Sequence, residues 1–487
     1  MWLASGRKHG AAAVAQINYD ARRQNVRRQQ WQRYARRTLT CAILAALAGT
    51  ASAQDASSLG QQLTPLGGEK AANKDGSIPA WQDGGALNPG WEPGKPRAEF
   101  FKYKDDKPLF TIDASNADKY ADKLGEGQLA LLKTFKNYRL NVYPSRRHCS
   151  APDFVQENTR KNVADGKIGA DGWSVSEATV PGIPFPLPKT GIEVLWNSKL
   201  KYAGVGLTMP ALYIMLSPRA SGGDWIEAGS SQSYYYPWGK KGSAKLSELP
   251  PVEYHTYFDY LSPTALAGQA LVVSTYLNKS GDVFYYFPGQ RRVRRMPSYS
   301  YDAPQVGFEN QYTLDEPRVF NGTPDRFDWK LVGKREMYIG YNSFGMYDPD
   351  ADRRKVITPD GVDASATRYE LHRVWVIEAT VKEGVRHVAP KRRFFIDEDS
   401  WSLMGAEDYD AQGKLWKVRE SFVIPVAETQ ACDNPAFVQY DLNSGRVLFD
   451  QSGMGAGKDM SWATEPNDPK YKDAFYTPDN LRAISER

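Results

Sequence analysis

Five histidines and one run of acids are the first places to look for chemistry in this 487-residue chain. A zinc site or a catalytic pair needs histidines at short, fixed spacings or beside a nucleophile. His9, His148, His255, His372 and His387 have no such spacing, and no G-x-S-x-G elbow is present. Each reads as an ordinary surface or core histidine. A glycoside hydrolase needs two carboxylates facing one cleft, roughly 5–10 Å apart. Asp397-Glu398-Asp399 instead stands with Ser400 between two strand-like runs, where aspartate is favoured for its bonds to nearby backbone. It reads as a turn. Gly453-Met454-Gly455-Ala456-Gly457-Lys458 has the outline of a phosphate loop. Ser452, however, replaces its first glycine, and Asp459 stands where a Ser or Thr would hold magnesium. It reads as a flexible tail loop. No catalytic residue, metal ligand or cofactor is assigned.

Three other signals remain. Arg291-Arg292-Val293-Arg294-Arg295 is the sharpest charge feature. On a strand, Arg292 and Arg294 point one way, and Arg291 and Arg295 the other. Such a patch fits lipid headgroups, phosphates or an acidic partner, or a charged edge strand that blocks aggregation. Lys391-Arg392-Arg393 is a possible extension of it. The chain also holds 13 Trp, 28 Tyr and 19 Phe. Taken singly, Tyr285, Phe287, Trp375, Phe394, Ile396 and Trp416 read as core. As a set on a curved sheet they point to an apolar pocket. Finally, Cys149 and Cys432 form an even pair once Cys41 leaves with the leader. A disulfide between them is expected if the chain is exported.

Export is written at the start. Residues 1–36 are basic and poor in acids, Leu39 to Ala48 is apolar, and Ala51-Ser52-Ala53 closes the run with small residues. This is a secretory signal peptide with cleavage expected after Ala53. Its apolar run is too short for a permanent span, and Cys41 lies at the front of that run, not after it, so no lipid anchor is expected. The basic stretch is longer than a leader needs and reads as a translation start placed too early. Removing residues 1–53, with nine Lys or Arg and one Asp, takes the net charge from +5 to −3. The basic balance therefore belongs to the leader and does not point to nucleic acid. The mature chain should be soluble and periplasmic, without a transmembrane segment.

The elements follow in order. Residues 54–110 are rich in Gly and Pro and read as an extended arm, anchored by Trp81 and Trp91. Helices are expected over 115–142, over 152–163 with Gly166 as the stop, and over 190–202. Val180 to Pro188 holds four prolines and must be an extended loop resting on core or ligand. From about residue 211 the chain turns to β-branched and aromatic runs separated by short turns. His372 to Arg419 is the clearest case, four runs too closely spaced for crossover helices, so a meander. Roughly ten strands are expected, enough to make one sheet curl strongly. Residues 427–487 read as irregular wrapping. The domain plan is therefore leader 1–53, arm 54–110, half-barrel with helical lid 111–426, and tail 427–487.

Ile183-Pro184-Phe185-Pro186 with Trp196-Asn197, Tyr286–Tyr299, Asp325–Lys330 and Lys391–Trp401 resemble the exported proteobacterial proteins of domain-of-unknown-function family 1329. The resemblance covers nearly the whole mature chain. The meander is also similar to the periplasmic lipoprotein carriers LolA and LolB. That likeness implies an α+β, mainly β fold: an unclosed half-barrel with helices on its concave, apolar side, where that superfamily holds acyl chains. Family members often accompany envelope systems that move hydrophobic compounds. The expected function is a non-enzymatic periplasmic carrier of a hydrophobic small molecule, lipid or lipoprotein acyl chain. An adaptor docking on an outer-membrane or export complex through the arginine patch is the alternative. A hydrolase of envelope polymers or esters is the third reading.

Overall fold

Two antiparallel meanders make up the sheet, and the first strand of one pairs with the last strand of the other. The computed structural model describes residues 56–83, 85–296 and 301–486; the leader, its cleavage point after Ala53 and His9 lie outside these residues. The first meander is β1 (Gly206–Leu216), β2 (Ile226–Tyr235), β3 (Val252–Ser262), β4 (Ala270–Tyr276), β5 (Asp282–Phe287) and β6 (Arg292–Arg295). The second is β7 (Phe327–Tyr341), β8 (Tyr369–Val381), β9 (Lys391–Asp397), β10 (Leu403–Tyr409), β11 (Leu415–Val426), β12 (Phe437–Asp441) and β13 (Arg446–Asp450). Neighbours in each meander pair in chain order, except that β13 meets β1 through Leu448 opposite Leu216 and Phe449 opposite Met215. The sheet thus runs from edge β6 to edge β7, and among the described residues no ladder joins those two edges. Near its far end β7 also touches β11 in parallel, Gly340–Tyr341 against Phe422–Val423. The expected mainly β, curled and unclosed antiparallel sheet is present.

The tail contributes more than wrapping, because it supplies β12 and β13. Two five-residue runs, FVQYD and RVLFD, flank the turn Leu442–Gly445, and their residues are buried. Of the rest of the tail, Ser461–Ala463 adds a short strand to β1, and the last residues cover one face of the first meander. There α4 (Pro478–Ser485) and its lead-in bury Leu481 and Tyr476 on Ala270, Val272 and Tyr286.

Three longer helices precede the sheet. The stretch expected as one helix over 115–142 breaks into a 3-10 turn (Ala117–Lys123), α1 (Glu126–Thr134) and a short strand (Leu140–Val142). It breaks where Gly125 and Gly127 let the chain press onto the sheet: a Cβ at Gly127 would lie 2.7 Å from Val418 Cγ1. The second helix, α2 (Asp153–Asp165), stops at Gly166 as expected. The third, α3 (Gly191–Lys199), starts on a capping box in which Thr190 accepts from the Glu193 N–H and Glu193 bonds back to Thr190. The proline loop rests on core. Asn197 donates to Phe185 O at 2.7 Å and accepts from Phe185 N at 2.8 Å, while Asn162 of α2 holds Ile183 O at 3.0 Å.

The arm lies over the domain. Trp81 is buried and donates to Cys149 O, and Leu66 O accepts from Trp401 Nε1 at 2.8 Å. Cys149 and Cys432 are disulfide-bonded, with Cα atoms 5.6 Å apart. No described helix is long and apolar enough to cross a membrane.

Candidate functional site

A period of two places alternate strand residues on one face, and the ladders carry that face across the first meander. Gln232, Phe258, Leu271 and Tyr285 stand opposite one another on β2, β3, β4 and β5. The next row is Tyr234, Thr256, Val273 and Val283. These two rows, apart from Tyr285, form one wall of a cavity of about 120 Å³. The opposite wall comes from the link between the meanders, including Tyr301, Tyr312, Leu314 and Asn321, and from Asp450 and Gln451 at the end of β13.

The cavity has an apolar side and a polar end. Phe258, Leu271, Val273, Val283, Ile214 and Leu314 supply the first. At the polar end Gln232 and Gln451 bond each other at 2.7 Å, and Tyr234 donates to Gln451 Oε1 at 3.2 Å. Tyr312 donates to Asp450 Oδ2, and Gln451 N donates to Oδ1 at 2.6 Å. Burial pushes the Asp450 carboxyl up to about 7, against the opposing pull of these donors. Asp450 carried no sequence signal, because it reaches the cavity only through the β13–β1 seam.

The six aromatic and aliphatic residues singled out by sequence fall into two places. Tyr285 and Phe287 lie beside the cavity on its sheet face and stack at 4.5 Å. The other four belong to the second meander. Phe394 is fully buried against Phe320 and Trp329, with ring centroids at 5.4 and 5.7 Å. Ile396 is buried opposite Trp375, which stacks on Trp401. Trp416 donates to Asp441 Oδ2 at 2.9 Å. None of the six is in the cavity wall, and neither the three helices nor the proline loop contributes to it. The connecting segment stands where a lid was expected.

Over the second meander the same segment is docked on ions. Arg392 bonds Asp315 and also Asp408, at 3.0 Å to the latter. Arg419 reaches Asp408 at 2.7 Å and Val319 O at 3.0 Å, and Lys417 reaches Glu316 at 2.7 Å. Burial would raise the Asp315 carboxyl, but Arg392, His387 and Thr313 together outweigh it and hold the carboxyl well below the usual range. Arg392 therefore does not extend the surface patch. It shares the inward face with Phe394 and Ile396. The patch itself is exposed: Arg291, Arg292, Arg294 and Arg295 lie at edge strand β6, with Arg294 bonded to Gln290 and Arg295 to Asp282.

The acidic triplet is a turn, since Asp397 Oδ2 accepts from Ser400 N at 2.9 Å and Ser400 Oγ at 2.7 Å. It is nevertheless enclosed beneath the arm. Arg147 grips Asp399 with two bonds of 2.8 Å, and Lys334 meets Glu398 at 2.9 Å. His372, Asp397 and Asp399 place ligand atoms within 4.8 Å of one another, a spacing a metal ion could bridge. Both Asp399 oxygens are already engaged by Arg147, so the trio reads as part of an ion cluster. Burial lowers His372, but Glu370 and Asp397 overcome it and raise the imidazole. The glycine-rich tail loop offers no cradle, since Gly455 N and Gly457 N donate to Asp348 O and Pro349 O.

Residues 111–482 match the family described as a protein of unknown function, DUF1329. The chain belongs to this family. A relative, the uncharacterized Pseudomonas aeruginosa protein PA3922, is 37% identical over 442 residues, 88% of this chain and 93% of that one. Among solved structures, a putative outer membrane lipoprotein-sorting protein domain from Vibrio parahaemolyticus overlaps 60% of this chain and 98% of its own. Its TM-score is 0.40 at 12% identity. A DUF1329 protein from Desulfovibrio piger covers 57% and 92% at TM-score 0.36 and 14% identity. The LolA superfamily protein NE2245 from Nitrosomonas europaea covers 60% and 99% at TM-score 0.33 and 13% identity.

Proposed function

We propose that this protein is a binding or carrier protein for an apolar or amphipathic ligand in the bacterial envelope, delivered to the periplasm by its leader. The observation that carries this is the cavity between the first meander and residues 301–323, with its apolar wall and polar end. Each methylene buried there contributes about 0.8 kcal/mol. Release needs no nucleotide, only a partner or surface of higher affinity. The segment that forms the far wall is held by side-chain bonds, Tyr312 to Asp450, Asp315 to Arg392 and Glu316 to Lys417, and not by a strand ladder, so opening it would break these bonds and leave the sheet ladders intact. Native mass spectrometry of the mature chain purified from its own envelope, followed by organic extraction, tests the proposal. A stoichiometric apolar adduct that disappears in Leu271→Trp, which fills the cavity, is the expected result. A bare mass after incubation with envelope lipids, or an adduct unchanged in Leu271→Trp, overturns it.

The open edge at β6 supports a second reading, an adaptor that meets an acidic partner through Arg291, Arg292, Arg294 and Arg295. Capture of a defined envelope partner by the native protein, lost on reversing these charges while lipid retention stays intact, would favour it.

A further inference from the structure

Nearly every enclosed carboxylate in this fold has a cation beside it. Asp315 has Arg392, Asp408 has Arg419, Asp433 has Lys201 and Arg318, and Asp399 has Arg147. Asp450 differs. It is the only Asp or Glu in the cavity wall, and among the described residues no Lys, Arg or His lines that wall with it. Its hydrogen bonds come from neutral donors, Tyr312 and the backbone and side chain of Gln451. Glu420 also lacks a basic partner, but Gln128, Tyr138 and Tyr369 all donate to it, and the gap beside it is only about 20 Å³. An enclosed carboxyl beside open space is where an outside cation gains most, because nothing in the protein already neutralises it.

The walls around Asp450 favour the same occupant. Tyr234, Tyr254 and Tyr312 line the cavity, and the faces of aromatic rings attract ammonium groups; Tyr301 lines it too, but Arg326 already lies 3.4 Å over its ring. Arg318 lies 5.3 Å from the Tyr234 ring centre, but its charge is taken up by Asp433 at 2.9 Å. An anionic head would meet Asp450 with no basic side chain in the wall to receive it.

We propose that the polar end of the cavity receives an ammonium group, making the ligand a cationic amphiphile whose apolar body lies along Phe258, Leu271, Val273 and Val283. This rests on the cavity being the binding site. The ammonium contacts Asp450 and the tyrosine rings, and the chain follows the sheet face toward Tyr285 and Phe287.

Calorimetric titration of the mature protein with octyltrimethylammonium, octanol and octanoate tests it, since the three probes share a chain and differ in head group. The ammonium should bind about tenfold tighter than octanol, and octanoate weakest. Asp450→Asn should abolish the ammonium's advantage and leave octanol unchanged. If that variant does not fold, the ammonium-to-octanol ratio of the native protein gives the same information, rising from about pH 5 to about pH 8 as Asp450 ionises. Octanol or octanoate binding as tightly as the ammonium, or a flat ratio across that range, overturns the head-group proposal while the cavity stands. Binding that Leu271→Trp leaves intact, or no binding of any probe, overturns the cavity reading and this proposal with it.

Discussion

The Tyr312 hydroxyl donates to Asp450 Oδ2, fastening the segment between the two meanders to the last strand of the sheet. That bond leaves Asp450 enclosed, and burial pushes its carboxyl from 3.8 up to about 7. A raised carboxyl means the folded protein holds a proton that the unfolded chain has released. Stability of the ligand-free protein should therefore fall as pH rises through the window from about 4 to about 7, by up to about 1.4 kcal/mol per pH unit. Urea midpoints across that window measure it. Asp450→Asn should flatten this component, and an unchanged slope would show that Asp450 is not its source.

Arg147 makes two bonds to Asp399 beneath the arm, and both side chains are almost fully enclosed. Arg147→Met leaves a buried carboxylate without its cation. A loss of about 3–5 kcal/mol is expected, read by chemical denaturation, and Arg147→Met with Asp399→Leu should recover part of it. A loss under 1 kcal/mol (about the size expected of an exposed pair) would mean the arm opens to water there.

The Cys149–Cys432 bridge closes a loop of 283 residues. In the chain-entropy picture such a loop gives about 5–6 kcal/mol. Cys149→Ser with Cys432→Ser should lower the denaturation midpoint accordingly. A reductant should do the same to the native chain and leave the double variant unaffected.

Phe394 and Leu271 separate core from cavity. Phe394→Ala should cost about 3–5 kcal/mol because it empties a packed space between Phe320 and Trp329. Leu271→Trp projects into open volume and should keep the fold while losing ligand. If Phe394→Ala loses ligand at unchanged stability, the binding site extends under the second meander.

Reversing the edge charges with Arg292→Glu and Arg294→Glu should move stability by no more than about 0.5 kcal/mol, since both side chains are exposed. A larger change would show that β6 depends on them.

Much of the sheet was legible because turn chemistry and alternation are local. The 372–419 meander, the Gly166 stop and the Thr190 start follow from short spacings, and the cysteine pairing from a count of two. Arg392 was legible too, since alternation sets it with Phe394 and Ile396; counting it with its basic neighbours hid this. The strands at Phe437–Asp441 and Arg446–Asp450 were lost in a stretch whose overall composition is that of a loop. The cavity lies beyond local rules. Asp450 faces Tyr234 and Tyr312 only because β13 meets β1 and the 301–323 segment crosses the sheet, and neither contact leaves a pattern in a window of neighbouring residues.

The seam of Leu216 with Leu448 and Met215 with Phe449 also governs the order of assembly. The first meander is translated well before its partner edge exists, so β1 must wait with its backbone unpaired on that side. Contacts this distant in sequence slow folding, and a waiting edge invites the wrong strand. A chain cut before Arg446 should therefore fail by self-association and not by simple instability. The hairpin of β12 and β13 acts as the clasp that covers this edge of β1.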